Sequence, residues 1–122
     1  MKNGVKKVVK KVVFLTEIAK KSNRMSKFGD LIDVEVPVLF DFFTEWDDAS
    51  NAMHAVLLDV AAALGDKVKV IKIDVDKNQA LSDALRIKDL PTLIIYKSGD
   101  MKWRQCGAQD ADTIIDLLQQ QL

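Results

Sequence analysis

The sequence predicts an α/β domain with a central mixed sheet and helices on both faces. Three observations carry that expectation. Val38-Leu39-Phe40-Asp41-Phe42-Phe43 and Val68 to Val75 are near-continuous apolar runs of strand length, typical of strands covered on both faces. Each is followed by a segment whose apolar residues recur at helical spacing. Further on, Leu93-Ile94-Ile95-Tyr96 is joined through the turn residues Ser98-Gly99-Asp100 to a returning strand, Met101–Cys106, which adds an antiparallel part.

Taken in order, residues 1–10 are expected to form a basic tail and residues 11–122 the domain. Val5, Val8, Val9, Val12 and Val13 sit at helical spacing among lysines, so a membrane-surface helix is the alternative for the tail. All five are β-branched, which favours a strand at Lys11–Thr16. Thr16 is a candidate cap for a helix from Glu17 to about Gly29. Pro37 suits the first position of the strand it precedes. Asp47-Asp48 opens a helix that runs to Leu64 and stops at Gly65, with Met53, Val56, Leu57, Val60 and Leu64 as its buried stripe. A short helix over Lys77–Arg86 carries Leu81 and Leu85. Gly107 ends the last strand, and Asp110–Leu122 forms a closing helix with Ile114, Ile115, Leu118 and Leu122 facing inward.

Composition narrows the functional classes. At 122 residues the chain makes one domain with a core of its own, and 48% apolar residues exclude a disordered chain. Cys106 is the only cysteine, so a disulfide scaffold is excluded. No run approaches the ~20 apolar residues of a spanning helix. Net charge is zero, yet residues 1–28 sum to +8 and residues 29–122 to −8. An acidic body argues against nucleic-acid binding by the domain. The leading residues lack the uninterrupted apolar stretch of a secretory signal, so the expected location is cytoplasmic, which also suits one unpaired cysteine.

Two constellations bear on chemistry. Asp41 shares a strand face with Leu39 and Phe43, and Lys72 shares one with Val68 and Val70. Both charges point into apolar company, and buried charges need partners, so the two are expected to pair. Asp47, Asn51 and His54 share a helix face, but they are too few oxygens for a hard cation and too few nitrogens or sulfurs for zinc. No metal and no cofactor are expected, and His54 reads as a partly exposed helix residue.

The element order, together with Val38-Leu39-Phe40-Asp41-Phe42-Phe43-Thr44-Glu45-Trp46, Lys72-Ile73-Asp74-Val75-Asp76, Leu90-Pro91-Thr92 and Gly107-Ala108, resembles the thioredoxin family over roughly Lys11 to Leu122. The resemblance implies a thioredoxin fold, a cis-proline at Pro91, and a Cys-x-x-Cys active site directly after Trp46. The chain has Asp47-Asp48-Ala49-Ser50 there. Thiol–disulfide exchange needs an attacking thiolate and a resolving thiol, and neither carboxylate nor hydroxyl replaces them. The dithiol reductase activity of the family is therefore expected to be absent, with Asp47 left as a helix cap. In the family the acid matching Asp41 serves proton transfer to the second cysteine. With Ser50 in that place the role has no recipient. Ala55 stands where the family has a helix-kinking proline, which implies a straighter helix.

The resemblance also implies a surface for extended protein clients, at Trp46, Leu90, Pro91, Cys106, Gly107 and Ala108. The expected function is a redox-inactive protein-binding module, an adaptor or a holdase-type chaperone. The alternative is a residual redox protein using Cys106 in exchange with glutathione or a partner thiol. Free cysteines are usually buried, and a buried Cys106 is the expectation here, with Arg104 two residues back as a conceivable basic neighbour. Docking of the +8 leading segment on an anionic partner is a third option.

Overall fold

The computed structural model describes residues 12–15 and 24–122. Five strands form one sheet in the order β1 (Val12–Leu15), β3 (Lys69–Asp74), β2 (Val38–Phe43), β4 (Thr92–Lys97) and β5 (Asp100–Cys106). β1, β3 and β2 are parallel, and β4 and β5 are antiparallel to their inner neighbours. Side chains alternate across the sheet and so build two cores. On one face Leu39, Val70, Leu93 and Ile95 pack under α2 (Asp48–Leu64) and α4 (Ala111–Gln119), meeting Met53, Leu57, Val60, Ile114 and Leu118. On the other face Phe40, Phe42, Ile71, Ile73 and Ile94 pack under α1 (Arg24–Ile32) and α3 (Gln79–Ala84), through Phe28 and Leu81.

The termini of these elements follow local chemistry. The carboxylate of Asp47 accepts a hydrogen bond from the Ser50 N–H at 2.8 Å, and the carboxylate of Asp110 accepts one from the Thr113 N–H at 2.7 Å, so α2 and α4 each begin on an acidic cap. Gly65, at φ 53°, donates its N–H to the Ala61 carbonyl and closes α2. Ser98 and Gly99 both have positive φ, as a two-residue turn between strands requires, and their N–H groups bond to the Val34 and Ile32 carbonyls.

Several expectations shift. The basic tail, Lys11, the Thr16 cap and the first residues of the proposed first helix lie outside the described residues. α1 ends at Ile32 rather than near Gly29, because Leu31 and Ile32 pack on the Phe28 core and Gly29 takes an ordinary helical turn. α3 is shorter than Lys77–Arg86, and Arg86 sits at φ 57° in the turn that follows. α4 ends at Gln119, which leaves Leu122 55% exposed rather than inward. Val56 is only partly buried at the edge of its stripe. With Ala55 in its second turn, α2 runs unbroken for 17 residues.

Candidate functional site

The C-terminal ends of β2 and β3 and the start of α2 meet at one end of the sheet, where parallel α/β sheets place their ligands. After Phe43 the chain turns through Thr44-Glu45-Trp46 into the Asp47 cap. The turn is pinned by two side-chain bonds: Thr44 Oγ1 donates to Asp76 Oδ2 at 2.7 Å, and Asn51 Nδ2 donates to the Glu45 carbonyl at 3.2 Å. Trp46 projects from it with 88% of its surface exposed. Ser50 is fully buried, and its Oγ lies 3.5 Å from the Thr44 N–H.

Beneath this turn lies the charged pair. Lys72 Nζ donates to Asp41 Oδ2 at 2.7 Å, with both side chains almost wholly buried, and the ammonium sits 4.5 Å from the centre of the Phe43 ring. Asp41 Oδ1 accepts no hydrogen bond from the described residues. Burial pushes the Asp41 carboxyl above its ordinary value, against the opposing pull of the Lys72 ammonium, its hydrogen bond and His54. Phe43, Glu45, Ser50, Asn51, His54 and Lys72 line a cavity of about 200 Å³ that opens beside the turn. His54 thus faces the buried pair, a placement that helical spacing alone does not reveal.

Asp47, Asn51 and His54 do not form a metal centre. The Asp47 carboxylate is engaged at the cap, the Asn51 amide holds Glu45, and no group of three or more His, Cys, Asp or Glu among the described residues is placed to hold a metal.

The Leu90–Pro91 peptide is cis, with Pro91 itself buried and Leu90 partly exposed. The Gly107 N–H donates to the Pro91 carbonyl at 2.8 Å, which joins the two loops. Among the described residues, Leu90 itself enters none of the backbone hydrogen bonds of the surrounding turns. Cys106 pairs with Thr92 across β4 and β5, with its Sγ 3.6 Å from Thr92 Oγ1, and it is exposed. The expectation of a buried thiol is therefore corrected: β5 is an edge strand, and its last two residues, Gln105 and Cys106, are exposed. The Arg104 guanidinium is engaged elsewhere, donating to the Leu85 and Arg86 carbonyls at 2.7 and 2.9 Å.

A family model for thioredoxin matches residues 17–120. The chain belongs to the thioredoxin family. It is 36% identical to the chloroplastic thioredoxin Y of Oryza sativa subsp. japonica over 103 residues, which cover 84% of this chain and 61% of that protein. A thioredoxin-like protein of Synechocystis is 37% identical over 83 residues, 68% of this chain and 79% of that one. Among solved structures, a mutant thioredoxin from Halobacterium salinarum superposes with a TM-score of 0.74 at 27% identity, covering 89% and 88% of the two chains. Chloroplastic thioredoxin z superposes with the same score at 28% identity, covering 90% and 93%. The thioredoxin fold is thus established. No helix among the described residues is long and apolar enough to cross a membrane.

Proposed function

We propose that this thioredoxin-family domain binds proteins without dithiol chemistry, as an adaptor or holdase, through the surface formed by Trp46, Leu90, Pro91, Cys106, Gly107 and Ala108. The observation that carries this reading is the Asp47–Ser50 pair at the start of α2. One is engaged as a helix cap and the other is buried, and the chain has no second thiol with which to close a disulfide. Around them the aromatic and loop residues of a binding surface remain, with Trp46 exposed far beyond what packing requires. Affinity capture beside a Trp46→Ala, Leu90→Ser variant tests the reading. Partners held by the natural chain and lost by the variant support it. Identical partner sets contradict it, as does an unchanged aggregation curve for a model client at stoichiometric excess.

The exposure of Cys106 favours a second reading, in which that thiol forms mixed disulfides with glutathione or a bound partner. Each such step consumes a partner disulfide and releases one thiol, and no second cysteine in the chain resolves it. This reading therefore describes capture or capping of Cys106 rather than turnover.

A further inference from the structure

The charge around the exposed indole carries an inference that rests on the binding reading above and names the chemistry of its partner. Glu45 and Asp48 are exposed on either side of Trp46, and the Thr44 bond brings the exposed Asp76 to the same turn. Residues 44–50 contain no cation. Of the nearby cations, Lys72 is buried and paired with Asp41, and the exposed Lys77 directly follows Asp76. Arg104 is held by two carbonyls, and the exposed Arg86 and Lys88 belong to the turn that precedes Leu90. A tryptophan face is the best aromatic acceptor for a lysine or arginine, and carboxylates beside it add direct attraction. Leu90 is partly exposed, and its N–H and carbonyl enter none of the backbone hydrogen bonds of the turns among the described residues, as pairing with an extended backbone would require.

We infer that the partner segment is extended and basic, with lysine or arginine side chains seated at the Trp46 end between Glu45, Asp48 and Asp76. The indole contributes stacking, the carboxylates contribute charge selection, and Leu90 contributes main-chain pairing.

The test uses the full chain and three 12-residue peptides with the same apolar residues and four lysines, four serines or four glutamates. Binding is read by fluorescence anisotropy at 50 and 500 mM salt. The lysine peptide is expected to bind at least tenfold more tightly than the serine peptide at 50 mM, and the glutamate peptide most weakly. Screening shortens from about 10 Å at 0.1 M to about 3 Å at 1 M, so the advantage should fall below threefold at 500 mM. Glu45→Lys with Asp48→Lys should reverse the order, and Trp46→Ala should weaken all three. Equal lysine and serine affinities, both lost with Trp46→Ala, overturn the basic partner and leave the binding surface standing. A lysine preference untouched by the two charge reversals also overturns it, because the peptide then sits elsewhere on the acidic body. Salt-sensitive self-association that Trp46→Ala abolishes would assign the surface to a second copy's leading segment instead. Failure of all three peptides overturns both the inference and the reading beneath it.

Discussion

Asp41→Asn should be far more damaging than its small change in shape suggests. It leaves the Lys72 ammonium buried against Phe43 without its countercharge at 2.7 Å. Removing one partner of a buried ion pair costs about 3–5 kcal/mol, whereas replacing both by apolar groups is often neutral or stabilising. For 122 residues, an unfolding entropy of about 2.1 cal/mol/K per residue makes 1 kcal/mol worth roughly 4 °C in Tm. Asp41→Asn should therefore lower Tm by roughly 12–20 °C at pH 7, while Asp41→Leu with Lys72→Met should stay within about 5 °C of the natural chain. Lys72→Met should behave differently, because the stranded carboxyl can take up a proton. Burial already raises the Asp41 pKa in the folded state above its unfolded value of 3.8. The folded state then holds the proton more tightly, so the stability linked to Asp41 is present at low pH and is lost as pH rises through the folded pKa. Lys72→Met removes the main group holding that pKa down, so its deficit should shrink as pH falls. Thermal unfolding monitored by circular dichroism over a series of pH values is the assay. A coupling between the two sites below about 1 kcal/mol, or a Lys72→Met deficit that grows as pH falls, would refute the reasoning.

Three further outcomes follow from the same geometry. Asp47→Ala removes the α2 cap and should cost about 1 kcal/mol, or roughly 4 °C in Tm, while Asp47→Asn should retain most of it. Trp46→Ala should change stability by less than about 0.5 kcal/mol in denaturant unfolding, since an exposed side chain contributes little to the core, yet it should abolish client binding. Cys106 should react with a thiol reagent in the folded protein as fully as after denaturation, and labelling confined to the denatured chain would contradict its exposure.

The interior of the fold was legible because burial imposes it on sequence. Val38–Phe43 reads as a covered strand and is one, and the Asp47 and Gly65 boundaries of α2 fall where capping chemistry puts them. Alternation along β2 and β3 also directs Asp41 and Lys72 to the same face of the sheet. What escaped the sequence depends on how elements sit against each other. Gly29 resembles a helix stop, but contacts of Leu31 and Ile32 with the Phe28 core carry α1 beyond it. Cys106 follows the rule that free cysteines are buried only if helices cover its strand to the end, and β5 is an edge. The same holds for the candidate site. Trp46 and the Asp47–Ser50 segment are readable in order, whereas the approach of His54 to the buried pair and the engagement of Arg104 by two carbonyls need the packed structure.

On the reading proposed above, Asp47 and Ser50 in this thioredoxin-family chain stand where dithiol exchange would need two thiols. Reduction of a protein disulfide by an added thiol, followed with the natural chain and with Asp47→Cys, Ser50→Cys, tests it most directly. The natural chain should leave the reaction at its uncatalysed rate, and the two-cysteine variant should accelerate it. Acceleration by the natural chain would contradict the account, and its loss on Cys106→Ser would move the chemistry to that thiol.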